Sequence, residues 1–267
     1  MFLKLNLTKR FLSLFKNFLF ITLLVGIASI TYAENLQKFS VLEVIDGDTI
    51  TIKIKDKIEK VRLLGIQAPE IFTDPPQDFG FAAKAELNKL LNNQKVIIKY
   101  DKKFKRDKYK RILADVYVAD SNLWINGYLV EKGFAFTYIL NKNPIPKIKE
   151  LIQLENQAIS QNLNIWQNNK VISFTEAEDY IGSYKIVEGI IVDTLTTKNT
   201  LWLQLSPKKE KGFSLRIPKN NIDNISEVFN LNTIKGKKVR VRGYIDKYSV
   251  KYGAFIEIVS PYMIEIM

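Results

Sequence analysis

The sequence predicts a mainly β protein with α-helices, of the α+β class, in which two small β-barrels follow one another. Short runs rich in Val, Ile and aromatic residues recur along the chain, and turn residues separate them. Apolar residues at helical spacing are confined to a few segments between these runs. Of the 267 residues, 46% are apolar and 12% aromatic, which excludes a disordered chain and suffices for one large domain or two small ones.

Residues 1–33 are predicted to be a secretory signal peptide. Four basic side chains precede an uncharged stretch whose apolar run, Phe18 to Ile30, is followed by Thr31, Tyr32 and Ala33. We expect cleavage after Ala33 and an exported protein, periplasmic or secreted, with no stable membrane insertion afterwards. An uncleaved anchor is the alternative, although the apolar run is shorter than the ~20 residues that a membrane-spanning helix needs.

Residues 38–170 are predicted to form a five-stranded barrel with about three helices. Asp46-Gly47-Asp48 and the polar stretch Lys55 to Lys60 are turn sequences that separate the first three strands. Five short strands with a helix between the third and the fourth are the order expected of an OB-type Greek-key barrel. The predicted strands are Val41–Ile45, Ile50–Ile54, Val61–Ile66, Val96–Tyr100 and Ile112–Val118, and the predicted helices are Phe79–Leu91, Leu123–Lys132 and Lys147–Gln161.

Residues 180–267 show the same order of short strands with a helix after the third, and are predicted to form a second, OB-like and basic domain. They hold 14 basic and 8 acidic side chains, against 22 and 20 in residues 34–179. Alternation places Arg240, Arg242 and Tyr244 on one strand face, which could bind a single strand of nucleic acid, but any half-solvated strand shows the same pattern. The predicted strands are Tyr184–Leu195, Thr200–Leu205, Phe213–Ile217, Lys238–Ile245 and Phe255–Val259, with a helix over Asn221–Leu231.

Composition restricts the chemistry of any active site. The chain has no cysteine and no histidine, which excludes a thiolate nucleophile, an imidazole base and the usual type of zinc site. Catalysis must therefore use carboxylates, arginine, lysine, tyrosine and hydroxyls. The formal net charge of +12 favours polyanionic partners, either nucleic acid or an anionic membrane surface.

Three clusters in residues 38–170 are candidates for that chemistry: Val44 to Thr49, Val61 to Glu70 and Arg106 to Arg111. Taken alone, Asp46-Gly47-Asp48 is typical of a hairpin turn, and Arg111 is typical of a solvated cation. Arg62 is more informative, because it lies inside an apolar strand, eight residues before Glu70 in a loop that contains proline. Such a placement is costly unless both residues serve a site.

These clusters, followed by Gly133-Phe134-Ala135-Phe136-Thr137-Tyr138 and by Leu163-Asn164-Ile165-Trp166, resemble the thermonuclease, or staphylococcal-nuclease-like, family over residues 39–168. The end of the chain is similar to a small OB-like domain that follows the nuclease domain in some bacterial members. The resemblance implies a calcium-dependent phosphodiesterase that cleaves DNA and RNA to leave 3′-phosphate ends. It implies catalytic roles for Arg62, Glu70 and Arg111, metal binding by Asp48, position 67 (Gln67) and the backbone oxygen of Ala68, and substrate binding by Lys108, Tyr109 and Tyr138.

One departure from the family pattern affects the metal site. Where the family has a calcium-binding aspartate, this sequence has Gln67, which offers a neutral oxygen and removes one negative charge. We expect weaker calcium affinity. The alternative is an exported nucleic-acid-binding protein that keeps the fold and has lost catalysis through Gln67. Lys110 also replaces a family glycine beside Arg111, which could either add phosphate affinity or disturb the turn. We expect a monomer.

Overall fold

The computed structural model describes residues 37–100, 106–139, 145–168, 170–206, 212–249 and 253–267. The predicted signal peptide lies outside these residues. Lys38–Met267 group into one unit by their contacts, and this unit holds both predicted barrels. In the described part of the chain, no helix is both long enough and apolar enough to cross a bilayer.

Five strands of the N-terminal half close into a barrel in the order β1-β2-β3-β6-β5. Strands β3 and β6 run parallel and the other pairs antiparallel, which is the predicted OB-type arrangement. A separate two-stranded pair joins β4 to β7. The strands are β1 (Lys38–Val44), β2 (Thr49–Ile54), β3 (Lys57–Leu63), β4 (Ile66–Gln67), β5 (Lys95–Lys99), β6 (Ile112–Val118) and β7 (Phe136–Thr137).

Three helices pack on this barrel, as predicted: α1 (Gly80–Leu91), α2 (Ile125–Glu131) and α3 (Ile148–Ser160). Their apolar faces supply side chains such as Leu87 and Leu151 to the core, where each is fully buried. Burying a side chain of this size stabilises the fold by about 1.5–3 kcal/mol. Because the helices lie between barrel strands in sequence, this packing also holds the connecting loops in place.

The C-terminal half forms a sheet in the order β10-β11-β12-β14-β13-β9-β8, with β15 also paired to β13. Strands β12 and β14 are parallel, and β13 pairs antiparallel with both β14 and β9. The order of strands is the same as in the first barrel, except that two strands, β9 and β10, together take the position that β1 has there. The elements are β8 (Ile172–Ser173), β9 (Tyr184–Ile190), β10 (Asp193–Thr196), β11 (Thr200–Gln204), β12 (Phe213–Pro218), α4 (Lys219–Ser226), β13 (Lys238–Ser249), β14 (Gly253–Glu257) and β15 (Ile264–Ile266).

The predicted strand Tyr184–Leu195 is interrupted in the structure. The amide of Ile191 donates to the carbonyl oxygen of Lys237 at 3.0 Å, whereas the amide of Val192 donates to that of Gln204 at 2.8 Å. Consecutive residues therefore bond to opposite neighbours. Because of this break, one chain segment pairs with β13 through β9 and with β11 through β10.

The two halves share buried side chains. Ile139 and Ile148, from the N-terminal half, belong to the same hydrophobic cluster as the core of the C-terminal sheet. A second cluster joins Trp166 to Ile186 of β9. The C-terminal sheet is therefore held against α3 and against the segment that follows β7.

The prediction that Arg240 and Arg242 lie on an exposed basic face of β13 is wrong. Arg242 is 1% exposed and pairs with Glu155 of α3 and, at 2.8 Å, with Glu265 of β15. Arg240 pairs with Glu188 of β9 at 2.6 Å and is also largely covered. Carboxylates from neighbouring elements use both guanidinium groups, because a buried charge must be paired. Tyr244, on the same face, is 49% exposed.

Candidate active site

Strand pairing brings the three sequence clusters to one region of the first barrel. Asp48 lies in the turn between β1 and β2, and Arg62 lies near the end of β3. Gln67 is the last residue of β4, and the residues up to Glu70 follow it directly. In the β2–β3 pair Thr49 is the partner of Arg62, and in the β3–β6 pair Leu113 is. Arg111 immediately precedes β6, so the three clusters meet although up to 63 positions separate them in sequence.

The centre of this region is a buried ion pair between Asp48 and Arg62, which are 3% and 6% exposed. Nε of Arg62 lies 3.1 Å from Oδ1 of Asp48. The hydroxyl of Thr49 donates to the same oxygen at 3.0 Å, and the amide of Ala68 donates to Oδ2 at 2.7 Å. Burial raises the pKa of Asp48 to about 6, Arg62 opposes that shift, and Asp46 adds to it. The carboxylate therefore lacks full compensation and favours an additional positive charge.

Gly47 allows this turn to approach its neighbours closely. A Cβ atom at Gly47 would lie 2.6 Å from the Cβ of Ala68 and 2.7 Å from that of Ala83 in α1. The carboxylate of Asp46 accepts from the amide of Asp48 at 3.0 Å, which closes the turn. Asp46-Gly47-Asp48 is thus both the hairpin turn and the support for the site.

Gln67 links the two predicted catalytic residues of the second cluster. Its Oε1 accepts from Nη2 of Arg62 at 2.8 Å, and its Nε2 donates to Oε1 of Glu70 at 2.8 Å. The same Nε2 donates to the carbonyl oxygen of Ala68 at 2.9 Å. An amide can bridge a cation and a carboxylate because it both accepts and donates. A carboxylate at position 67 would accept from Arg62 but repel Glu70.

Arg111 is held by Asp107, a residue that the sequence analysis did not single out. Oδ2 of Asp107 accepts from Nε of Arg111 at 2.7 Å, and its Oδ1 accepts from the amides of Tyr109 and Arg111 at 2.9 Å. Nη1 of Arg111 lies 3.5 Å from the hydroxyl oxygen of Thr49, which joins this cluster to Asp48. The signal available in sequence was an acidic residue four positions before an arginine in a turn.

Lys108 and Tyr109 lie on the same turn as Arg111. Tyr109 is 67% exposed, and its ring centre lies 5.0 Å from Nζ of Lys108 and 5.3 Å from the guanidinium carbon of Arg111. Lys110 completes the turn with a φ of 64°, the left-handed region in which glycine is less strained than lysine. The turn forms despite this replacement, since the amide of Lys110 donates to the carbonyl oxygen of Asp107 at 3.0 Å.

Tyr138 reaches the site through the β4–β7 pair. Gln67 is the strand partner of Phe136, and the amide of Tyr138 donates to the carbonyl oxygen of Gly65 at 2.8 Å. Burial raises the pKa of Tyr138 to about 12, with Arg62 lowering it and Glu70 raising it. The hydroxyl is therefore a neutral hydrogen-bond donor near both residues.

The site contains the type of oxygen atom that hard cations bind. Asp48 supplies a carboxylate, Gln67 an amide oxygen and Ala68 a carbonyl oxygen, and all three residues lie in one hydrogen-bonded network. Within the described ranges, no group of three or more acidic, histidine or cysteine side chains could hold a metal. These donors suit a hard cation that would take its other ligands from water and phosphate, with less protein charge than a carboxylate cage offers.

Comparisons with known proteins match a part of the chain that includes Arg62, Glu70 and Arg111. A family model described as "Staphylococcal nuclease homologue" matches residues 60–168. The Thermonuclease of Staphylococcus intermedius is 38% identical over 134 residues, which are 49% of this chain and 77% of that protein. The Thermonuclease of Staphylococcus hyicus is 35% identical over 137 residues, 50% of this chain and 78% of that protein. An uncharacterized endonuclease of Escherichia coli is 33% identical over 129 residues, 48% of this chain and 76% of that protein.

Proposed function

Because this chain belongs to the staphylococcal nuclease family and is a nuclease of the hydrolase class, we propose that it is an exported, calcium-dependent enzyme of low sequence specificity. Its substrate is nucleic acid, and we propose DNA, RNA or both. The observation that carries the proposal is the continuous network from Asp48 through Arg62 and Gln67 to Glu70, with Arg111 joined to it through Thr49.

Two guanidinium groups supply positive charge where the scissile phosphate binds. Among the described residues, Arg62 donates hydrogen bonds to the Leu63 carbonyl oxygen and to Gln67, and its Nε lies 3.1 Å from Asp48, so N–H groups remain for phosphate oxygens. Arg111 supplies the second guanidinium group, and Asp107 orients it through a contact of 2.7 Å. Charge that develops on the phosphate during displacement is stabilised most by donors that are already in place.

Glu70 is the proposed general base. Its Oε1 accepts from Gln67, and among the described residues its Oε2 has no hydrogen-bond partner, which leaves that oxygen to take a proton from water. The water oxygen then bonds to phosphorus, and the bond from phosphorus to the sugar oxygen breaks on the opposite side. The sugar oxygen keeps the electron pair of that bond and takes a proton from solvent water. The side-chain oxygen of Gln77 accepts from the backbone amide of Glu70 at 2.9 Å, which helps to fix the position of Glu70.

Asp48, Gln67 and the carbonyl oxygen of Ala68 would hold the metal. When bound, a calcium ion would offset the negative charge of the phosphate and of Asp48. Metal dependence is implied by the thermonuclease relatives, and the choice of calcium is our proposal. The affinity should be lower than that of a site with a second carboxylate, because Gln67 is neutral.

Low specificity and export complete the proposal. The charged side chains of the site suit the phosphate, which every nucleotide shares, and contacts to phosphate position a strand without reading its sequence. Export to the periplasm or the medium rests on the composition of residues 1–33. We propose a monomer.

A second candidate function is nucleic-acid binding without cleavage. It is favoured by one observation, that Gln67 and Ala68 both engage in hydrogen bonds within the protein through the oxygens that a metal would need. Digestion of single-stranded and duplex DNA by the mature protein, with calcium or with chelator, separates the two functions. Cleavage that requires calcium supports the nuclease proposal. Binding without cleavage at millimolar calcium, magnesium or manganese overturns it.

A further inference from the structure

Two tyrosines of the C-terminal sheet lie against Tyr138 of the candidate active site. Tyr184 of β9 and Tyr244 of β13 are direct partners in their antiparallel pair, with ring centres 5.5 Å apart. The ring of Tyr138 lies 5.5 Å from that of Tyr184 and 6.2 Å from that of Tyr244. The hydroxyl of Tyr184 also donates to the carbonyl oxygen of Thr137 at 2.6 Å. Tyr184 thereby fixes the C-terminal sheet against the residue that precedes Tyr138.

The three rings differ in what they present to solvent. Tyr244 is 49% exposed, whereas Tyr138 and Tyr184 are only partly exposed. The planes of Tyr138 and Tyr244 meet at 90°. A planar base that stacks on one of two perpendicular rings makes an edge-to-face contact with the other. Stacking and edge-to-face contact are both favourable between aromatic groups.

Tyr244 lies close to the charges of the proposed catalytic residues. Burial raises the pKa of Tyr244; Glu70 and Asp48 add to the shift, and Arg62 opposes it. The ring of Tyr244 also contacts that of Tyr138 edge to face. Tyr244 is therefore next to the candidate active site, although it belongs to the C-terminal half of the chain and lies outside the matched residues 60–168.

We propose that Tyr244 and Tyr138 together bind one nucleobase of a single-stranded nucleic acid, beside the phosphate held by Arg62 and Arg111. The proposal rests on the proposed nuclease function and deepens it, because it makes the C-terminal sheet a part of the substrate site. In a duplex each base is stacked and paired, so only a single strand or a frayed end offers a base to this corner. The site therefore favours single-stranded over duplex substrate.

The first test is binding in the absence of cleavage. In chains that carry Glu70→Gln, fluorescence anisotropy with a labelled single-stranded oligodeoxynucleotide compares Tyr244, Tyr244→Ala and Tyr244→Phe. We expect about 5- to 100-fold weaker binding for Tyr244→Ala, the range for loss of one stacked base, and about twofold or less for Tyr244→Phe, which keeps the ring. Tyr100→Ala is the matched control, since Tyr100 is 44% exposed and follows β5. It should bind as the Glu70→Gln parent does.

The second test identifies the base. In chains with Glu70 intact, single abasic positions are scanned along the oligonucleotide, and KM is measured for the wild type and for Tyr244→Ala. The proposal requires one position at which removal of the base raises KM for the wild type and cancels the penalty of Tyr244→Ala. Equal binding by Tyr244 and Tyr244→Ala, or equal losses for the Ala and Phe variants, overturns the proposal.

Folding and failure of the proposed function are controlled separately. Urea unfolding midpoints show whether each variant is folded, and Tyr244→Leu, which keeps bulk without a ring, replaces Tyr244→Ala if the latter unfolds. If the wild type cleaves no nucleic acid with calcium, the proposed function fails. The anisotropy comparison then still supports or overturns the base site, because it needs no cleavage.

Discussion

Glu155 of α3 joins Arg242 of β13 in an ion pair that connects the two halves of the chain. Glu155 is fully buried and Arg242 is 1% exposed. The other oxygen of Glu155 accepts from the amide of Thr137 at 2.7 Å, one residue before Tyr138. This single carboxylate thus connects the C-terminal sheet to the strand that places Tyr138 in the candidate active site.

Removal of one partner of this pair should destabilise the protein strongly. Arg242→Ala leaves the carboxylate of Glu155 buried without its cation, which costs about 3–5 kcal/mol in buried pairs. The measurement is the free energy of unfolding from urea titration. The double variant Glu155→Gln with Arg242→Met should recover part of the loss, since neither side chain is then charged. A single variant as stable as the wild type would contradict the burial of this pair.

Catalysis should depend on Glu70 and Arg62. Glu70→Gln removes the proposed base and keeps the side-chain oxygen that accepts from Gln67, and Arg62→Ala removes a phosphate contact. We expect each to lower kcat by a factor of about 100 or more, the range for loss of a general base or a transition-state donor. Steady-state digestion of single-stranded DNA measures this, with Lys53→Ala, an exposed lysine of β2, as the control. Arg62→Ala also leaves Asp48 buried without its cation, so urea unfolding is measured for both variants. Unchanged turnover in either variant would remove that residue from the mechanism.

The identity of residue 67 should set the calcium requirement. Gln67→Asp adds a carboxylate to the site, so the calcium concentration for half-maximal activity should fall by about tenfold. The variant also loses the amide that bridges Arg62 and Glu70, so kcat in saturating calcium need not rise. Calcium titration of activity and isothermal calorimetry of binding check the two effects separately. A calcium requirement that does not move would show that residue 67 is outside the metal shell.

Asp107 should act as a positioning residue for Arg111. Asp107→Asn keeps the shape of the side chain and removes the charge that orients the Arg111 guanidinium at 2.7 Å. We expect kcat to fall by about tenfold, with a smaller effect on stability. Asp120→Asn, which removes an exposed carboxylate that pairs with Lys38, provides the control. If both variants behave alike, the orientation of Arg111 does not depend on Asp107.

Lys110→Gly should stabilise the turn that carries Lys108, Tyr109 and Arg111. Lys110 has a φ of 64°, and left-handed backbone costs a residue with a Cβ about 1 kcal/mol more than glycine. The midpoint of urea unfolding should therefore rise. Asn93→Gly, at a φ of 56° away from the site, should give a smaller gain, because asparagine adopts this backbone more readily than lysine, and no change in activity.

Local pattern predicted much of the first barrel, and the family resemblance of its motifs implied the residues of its site. The alternation of apolar residues and the turn residues predicted the strands and helices to within a few positions, because these signals depend on neighbours in the chain. The resemblance of the sequence clusters to the thermonuclease family also implied Asp48, Arg62, Glu70 and Arg111, which the fold brings into one region. Their individual roles remain predictions for the experiments above.

Only the tertiary structure decided what the remaining polar side chains contact. Arg242 and Tyr244 lie two positions apart on one strand face, so their sequence pattern is the same as that of a solvated basic face. The structure buries Arg242 against Glu155 and places Tyr244 beside Tyr138. Contacts of this kind depend on how distant elements pack, and the periodicity of a single strand carries no information about its partner.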